Sequence, residues 1–140
     1  MISSKLYLKG FLSRVKEQDE ELIVGPIYDK DLRKNAVNII KNYMDKNIQG
    51  IYSTRFLTDI VVSAKKELKT KFKVVANGMN DDIYNLILNK SIVATVVERW
   101  EEEGYVAAKI MFNYMYKNTK PSFNNYITES KIMFRENLTY

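Results

Sequence analysis

The side chains that most often carry enzyme chemistry are missing from this sequence. The 140 residues include no histidine and no cysteine, so Ser-His-Asp triads, thiolate nucleophiles, imidazole bases and the usual zinc ligands cannot be built from them. Neighbouring acids occur at Asp81 and Asp82 and from Glu101 to Glu103, where they could act as acid/base groups or bind a hard cation. Because both sets stand at predicted helix starts, we interpret them as partners of the helix dipole. With no glycine-rich phosphate loop either, we expect no enzymatic activity, no cofactor and no metal site.

Length and composition predict a single domain. The chain is 46% hydrophobic and 28% charged, which is ordinary for a globular protein with one core. No apolar run approaches the roughly 20 residues of a membrane-spanning helix, and the first residues lack the apolar stretch of an export signal. We therefore expect no membrane insertion and a cytoplasmic location, in keeping with the absence of cysteine.

A net charge of +5 raises the question of nucleic-acid binding, because basic patches bind phosphates by counterion release. The densest basic run, from Lys65 to Lys73, stands where a helix is predicted to end. Lysines there suit the helix dipole and the solvated surface. Since no nucleic-acid motif accompanies the run, we interpret it as a solvated helix end.

Apolar periodicity predicts an alternation of helices and strands along the chain. The predicted helices are Ser4–Gln18, Asp31–Asn47, Leu57–Leu68, Asp82–Leu88 and Glu101–Tyr116, and the predicted strands are Leu22–Gly25, Ile51–Thr54, Phe72–Ala76, Ile92–Val97 and Ile127–Phe134. Strands separated by helices are typical of an α/β fold with a parallel sheet and helices on both faces. Ligands of such sheets bind outside the carboxyl ends of the strands, so a site is expected just after Val24, Tyr52, Val75 and Val97.

Several segments, in order, carry a resemblance to a known family. They are Tyr7–Phe11, Ile48–Tyr52, Ile92–Glu98, Gly104–Lys109 and Ile132–Leu138. Together they resemble the second lobe of the type I periplasmic-binding fold, which regulators of the lactose-repressor family share with ribose-type sugar-binding proteins. The resemblance implies a Rossmann-like lobe and a small-molecule ligand, expected to be a carbohydrate.

The family's ligand contacts do not carry over unchanged. The slots that hold Arg, Asn, Asp and Gln in the family correspond here to Tyr7, Arg55, Gly78 and Glu98. The resemblance still implies a polar cleft, with a different charge pattern, built from Tyr7, Arg55, Asn77, Asn80 and Glu98. Structural roles stay open beside it: Tyr7 could cover the sheet edge, Arg55 and Glu98 could form a surface ion pair, and Asn77-Gly78 is a natural turn pair.

Three functions are compatible with this resemblance. The first is the sugar-like effector-binding domain of a bacterial transcriptional regulator, homodimeric and reaching DNA only through a domain absent from the sequence. The second is the periplasmic solute-binding component of a sugar ABC transporter, which would act outside the cytoplasm. The third is a protein-interaction module that has lost ligand binding.

The family resemblance also implies that residues 1–140 form one lobe of a longer, two-lobe protein. An apolar stripe runs along the last predicted helix through Met111, Phe112, Tyr114, Met115 and Tyr116. A large exposed apolar patch is unfavourable. We expect residues 100–117 and 127–140 to pack on a second lobe or on a second copy of the chain.

Overall fold

The computed structural model describes residues 2–15, 31–43, 47–54 and 57–138, which form helices and one sheet. The helices are α1 (Ile2–Val15), α2 (Leu32–Tyr43), α3 (Thr58–Glu67), α4 (Asp81–Leu88) and α5 (Trp100–Lys117), and the strands are β1 (Gly50–Thr54), β2 (Lys73–Asn77), β3 (Ala94–Val97) and β4 (Lys131–Phe134). A 3₁₀ turn, Arg135–Asn137, follows β4. The predicted strand Leu22–Gly25 lies outside the described residues.

The sheet has four strands in the order β1-β2-β3-β4. The first three run parallel, with Thr54 beside Asn77 and Asn77 beside Val96. Helices α3 and α4 connect successive parallel strands, so the predicted α/β class with crossover helices is confirmed. All three parallel strands therefore end at one edge of the sheet, which we call the carboxyl edge.

The fourth strand departs from the parallel direction of the other three. β4 runs antiparallel to β3, with Lys131 opposite Val97 and Phe134 opposite Ala94. After α5, residues 118–130 return the chain to the edge where β3 ends, so β4 starts there and runs in the opposite direction. A parallel β4 would have had to start at the edge where β3 begins. β4 also begins at Lys131 rather than at Ile127.

The core lies between one face of the sheet and the helices α3 and α4. Val74 and Ala76 on β2 are fully buried against Val61, Ile83 and other apolar side chains of these helices, and Ile40 of α2 joins the cluster. On the opposite face the Phe11 ring of α1 stacks on the Tyr52 ring of β1, with the ring centroids 5.7 Å apart. Helices thus contact both faces, as predicted.

β3 begins two residues later than the apolar pattern predicts. The backbone N–H of Ile92 donates to the Leu86 carbonyl at the end of α4, so that residue completes a turn rather than a strand. Its side chain is nevertheless buried in the core. Apolar content alone cannot separate a buried turn residue from a strand residue, because both contribute to the same core.

Both crossover helices end in the same capping motif, with lysine at the left-handed position. After α3, the N–H of Lys69 donates to the Lys66 carbonyl and that of Thr70 to the Lys65 carbonyl; after α4, Lys90 and Ser91 make the corresponding bonds. This is the Schellman arrangement, whose left-handed residue is usually glycine. Lys69 and Lys90 adopt it with φ of 51° and 61°, at a conformational cost for a residue with a Cβ atom.

Replacing Lys69 by Gly is expected to raise the free energy of unfolding by about 1 kcal/mol, because glycine adopts the left-handed conformation without the Cβ clash. Urea unfolding followed by circular dichroism measures the change. The matched control is Lys66→Gly, inside the last turn of α3, where the same substitution should lower stability by about 1 kcal/mol. A loss of stability in both variants would contradict the assignment of strain to Lys69.

Helix α5 has no buried side chain within the described structure. The apolar stripe from Met111 to Tyr116 is mostly exposed, and Tyr116 reaches 77%. Nothing in the described part of the chain covers this surface. Among the described helices, none is long and apolar enough to cross a membrane.

Candidate functional site

The carboxyl edge brings together the segments that follow β1, β2 and β3. The pairing of Thr54 with Asn77 and of Asn77 with Val96 sets the three strand ends side by side. Crossover loops of open α/β sheets bind ligands at this edge because backbone and side-chain polar groups converge there. The candidate site is therefore centred on Asn77, the last residue of the middle strand.

The loop after β2 is held against β3 at Gly78. The Gly78 N–H donates to the Val96 carbonyl at 2.7 Å, and the buried Thr95 hydroxyl donates to the Gly78 carbonyl at 2.6 Å. The φ of 91° at Gly78 is unfavourable for residues with a Cβ atom. The turn role of the Asn77-Gly78 pair is thus observed, and it fixes the backbone that carries Asn77.

The Asn77 side chain is buried but incompletely satisfied. The residue is 7% exposed, and its Nδ2 atom has no hydrogen-bond partner of good geometry among the described residues. Burial raises the pKa of the neighbouring Tyr52 hydroxyl, and a hydrogen bond with the Asn77 side chain offsets part of that rise. The amide has two N–H donors, and a buried donor without an acceptor costs about 1–3 kcal/mol, so the N–H that does not face Tyr52 is poised for an oxygen acceptor.

An aromatic surface lies beside this amide. Tyr52 on β1 and Asn77 on β2 are diagonal neighbours, because Asn77 lies two residues beyond the partner of Tyr52. The Phe11 ring stacks on the Tyr52 ring at an interplanar angle of 12°. Phe11 remains 41% exposed. An apolar ring face next to a buried amide is the combination that sugar sites use, because pyranose and furanose rings present C–H groups on one side and hydroxyls at the rim.

Asn80 has a structural role in this arrangement. Its side-chain Oδ1 accepts a hydrogen bond from the Ile83 N–H at 2.9 Å, which makes it the N-cap of α4. The predicted site residue therefore lies at the correct edge of the sheet, but its acceptor oxygen is already engaged by the helix. Its contribution to a ligand site is to hold the start of α4.

Replacing Asn80 by Ala is expected to lower the free energy of unfolding by about 1 kcal/mol, since the Ile83 N–H loses its capping acceptor. Asn80→Asp keeps an acceptor at the same position and should change stability by less than about 0.5 kcal/mol. Chemical denaturation of the two variants side by side measures both. A loss in Asn80→Asp as large as that in Asn80→Ala would contradict the assignment of the effect to the capping hydrogen bond.

Glu98 follows β3 directly and is engaged with the indole of Trp100. The Trp100 Nε1–H donates to a Glu98 carboxylate oxygen at 2.8 Å, while Arg99 pairs with Glu102 at 2.6 Å. Glu98 is half-buried, and Trp100 is 47% exposed. Two polar contacts thus fix the junction between β3 and α5 at the rim of the candidate site.

Two predicted site residues are not placed by these observations. Arg55 lies outside the described residues, and so does the side chain of Tyr7, although its backbone belongs to α1. Their predicted roles, including an Arg55–Glu98 ion pair, stay predictions.

Sequence reasoning missed Phe11, Tyr52 and Trp100. Of these, only Tyr52 could have been found from the sequence. Side chains alternate between the two faces along a strand, so Tyr52 and Asn77, which lies two residues beyond its partner on β2, share one face of the sheet.

The same edge carries acids without a metal-binding cluster. Asp81 and Asp82 stand in the first turn of α4, and Glu101, Glu102 and Glu103 in the first turn of α5. Their placement agrees with the predicted role as partners of the helix dipole. Within the described ranges, no group of three or more acidic, histidine or cysteine side chains could hold a metal ion.

Comparison with known proteins identifies the fold. No protein-family profile matches the sequence, and no curated protein is significantly similar to it. Among solved structures, a chain of a mutant XylFII–LytSN complex superposes with a TM-score of 0.78 at 20% identity, covering 99% of this chain and 56% of its own. AraP, an arabinose-binding protein from Geobacillus stearothermophilus, gives 0.65 at 23% identity over 75% of this chain and 39% of its own.

A third structure extends the comparison. A carbohydrate transporter solute-binding protein from Agrobacterium radiobacter, in complex with D-arabinose, gives a TM-score of 0.61 at 22% identity over 80% of this chain and 39% of its own. The chain spans between two fifths and just over half of the length of these structures. Its fold is that of a lobe of the type I periplasmic-binding proteins, as the sequence motifs predicted.

Proposed function

We propose that this chain is a sugar-binding lobe of a solute-binding protein that serves a carbohydrate transporter, and that its carboxyl edge contacts the sugar through Asn77. The observation that carries the proposal is the buried amide of Asn77, whose Nδ2 has no hydrogen-bond partner of good geometry among the described residues and at most one of whose two N–H groups is engaged by the Tyr52 hydroxyl. A sugar hydroxyl or ring oxygen supplies the missing acceptor. The function is binding, not catalysis.

The neighbouring groups suit a neutral polyhydroxyl ligand. The exposed part of the Phe11 ring and the Tyr52 ring to which it is stacked offer an apolar surface for C–H groups, while the Glu98 carboxylate is an acceptor for hydroxyl protons at the rim. The acids in the first turns of α4 and α5 repel anionic ligands. We therefore propose an uncharged monosaccharide and disfavour sugar phosphates and sugar acids.

We prefer the transporter role to the regulator role because of the functions described for proteins that share the fold. Two of the similar structures are described as an arabinose-binding protein and a carbohydrate transporter solute-binding protein. In that role the protein acts outside the cytoplasm, in contrast to the cytoplasmic location predicted from the sequence. The regulator of the lactose-repressor family, its homodimer and its DNA-linked domain remain predictions, because both classes use this lobe.

A second lobe is part of this proposal. Type I proteins close two lobes around the ligand, and the similar structures are about twice as long as the chain. The exposed stripe of α5 is then the surface that such a lobe, or a second copy of the chain, would cover. Ligand affinity of the single lobe is expected to be lower than that of a two-lobe protein, since one side of the sugar stays in water.

The experiment is a calorimetric titration of the chain with D-arabinose, L-arabinose, glucose and galactose. We expect binding of at least one sugar, and a loss of affinity of about tenfold to a hundredfold in Asn77→Leu, because the variant removes a buried hydrogen bond to the ligand. The matched control is Asn85→Leu, the same change at an exposed position of α4. Its affinity should equal that of the wild type.

Thermal unfolding supplies a second readout. Sugar at roughly 100 times its dissociation constant should stabilise the wild type by about 2.7 kcal/mol. No stabilisation by any sugar of the panel would favour the interaction module that has lost ligand binding. Equal affinity of the wild type and Asn77→Leu, with circular dichroism confirming that both are folded, would remove Asn77 from the site.

A further inference from the structure

The edge of the sheet opposite the candidate site carries a dense set of lysines. They stand at the end of α3, at the start of β2 and directly after α4: Lys65, Lys66, Lys69, Lys71, Lys73 and Lys90. We call this set the lysine edge. Its segments are adjacent in space, because the ammonium of Lys65 lies 5.7 Å from the centroid of the Phe72 ring and the Val93 N–H donates to the Val74 carbonyl.

The positive charge of this edge is not neutralised locally. Glu67 is the one acid within residues 65–73 and 89–93. In the described part of the chain, ion pairs join Arg33 to Asp59 and Arg99 to Glu102, and none involves a residue of the lysine edge. Five of the six side chains are exposed, and Lys65 is partly buried. The edge therefore presents an excess of positive charge to its surroundings.

Two of these lysines occupy positions where glycine would be less strained. Lys69 and Lys90 are the left-handed residues of the two Schellman motifs, with φ of 51° and 61°. Glycine would make the same main-chain hydrogen bonds without the strain, and the interaction of a lysine with the helix dipole offsets that strain only in part. Positive side chains at both positions favour a role for the charge outside the fold.

The opposite edge has the opposite sign. Asp81, Asp82 and the three glutamates at the start of α5 stand in first helical turns, and Glu98 lies between β3 and α5. Since α3 and α4 run antiparallel to the strands they connect, their starts lie at the carboxyl edge and their ends at the lysine edge. Arg99 and Lys131 also lie at the carboxyl edge, but the acids outnumber them, so the lobe is acidic beside the candidate site and basic at the far end.

We propose that the lysine edge binds the surface of an anionic phospholipid bilayer and turns the carboxyl edge away from it. An extended negative surface suits flexible, unpaired lysines, because it requires no fixed donor geometry. Stacking with nucleic-acid bases has little support, since Phe72, the aromatic ring between the lysines, is buried, and the exposed Phe134 lies two strands away from β2. The acidic carboxyl edge is repelled by the same surface, so the orientation leaves the candidate site open to solvent. This inference goes beyond the proposed sugar-binding function and does not depend on it.

Co-sedimentation with lipid vesicles tests the proposal. At about 0.05 M salt, the chain should bind vesicles of phosphatidylcholine containing about one third phosphatidylglycerol, remain free of pure phosphatidylcholine vesicles, and be released at about 0.5 M salt. The triple variant Lys69→Gln, Lys71→Gln, Lys73→Gln should lower the partition coefficient roughly a hundredfold, because each lysine near an anionic surface contributes about a factor of five.

The matched control removes the same net charge elsewhere. Lys34→Gln, Lys109→Gln, Lys131→Gln alters exposed lysines at the start of α2, on α5 and at the start of β4 beside the carboxyl edge, and its partition coefficient should stay within about twofold of the wild type. Equal losses in both triple variants would overturn the proposal, since net charge alone would then explain binding. Absence of binding to the anionic vesicles, or tighter binding to a short DNA duplex at the same salt, would overturn it as well.

Discussion

Replacing Ile87 by Ala is expected to lower the free energy of unfolding by about 2–5 kcal/mol. Ile87 lies on α4, is 1% exposed, and belongs to the cluster that joins α4 to Val74 and Ala76 of the central strand. Truncation removes buried methyl and methylene groups and leaves a cavity that rigid neighbours fill only in part. Urea unfolding followed by circular dichroism measures the change.

The control is the neighbouring Leu88, which is 44% exposed. Leu88→Ala removes a side chain of similar size on the same helix, but much of that side chain stays in water in the folded protein, so the loss should be below about 1 kcal/mol. Similar losses at the two positions would contradict the assignment of the core to the α3–α4 face of the sheet.

Replacing Thr95 by Val is expected to destabilise the fold by about 1–3 kcal/mol. Valine keeps the shape of the side chain but removes the hydroxyl that donates to the Gly78 carbonyl at 2.6 Å. Thr95 is fully buried, so water cannot replace the lost donor without rearrangement. The loop that carries Asn77 should loosen at the same time, and the affinity for a sugar should fall.

Thr119→Val is the matched control for this substitution. Its hydroxyl also donates to a backbone carbonyl, that of Lys117 at 3.2 Å, but at an exposed position. Water can satisfy that carbonyl, so stability should change by less than about 0.5 kcal/mol. Chemical denaturation measures the free energy of unfolding of both variants. If Thr95→Val loses as little stability as Thr119→Val, the hydrogen bond from β3 does not hold the loop.

The elements that could be predicted from the sequence are those with strong local signals. Val61, Val62 and Ala64 repeat with helical spacing on α3, and Val74 and Ala76 mark a buried strand. These patterns predict crossover helices and parallel strands, and the first three strands confirm them. Local periodicity was sufficient there because each segment packs against its sequence neighbours.

The direction of β4 could not be predicted in the same way. Ile132 and Phe134 alternate as in any strand, but alternation carries no information about whether a strand runs parallel or antiparallel to its partner. The direction depends on where residues 118–130 return the chain, a non-local property. The exposed stripe on α5 shows the same limit, since periodicity predicts an apolar face but not what covers it.

The candidate site was predictable in position and only partly in composition. The rule for open α/β sheets predicted a site just after Val75 and Val97, the family resemblance named Asn77, Asn80 and Glu98, and the structure places these three at one edge. It could not distinguish the capping oxygen of Asn80 from the unsatisfied amide of Asn77, because that difference depends on neighbours distant in sequence. Tyr52 and Phe11 were missed for the same reason.

The most direct test of the central claim, that the carboxyl edge binds an uncharged sugar, is a two-dimensional ¹⁵N NMR titration with the same four sugars at millimolar concentration. The expected result is a set of shifts confined to Tyr52, Asn77, Gly78, Glu98 and the Trp100 indole, the single tryptophan of the chain. Shifts confined to the lysine edge, or none with any of the four sugars, would contradict the account.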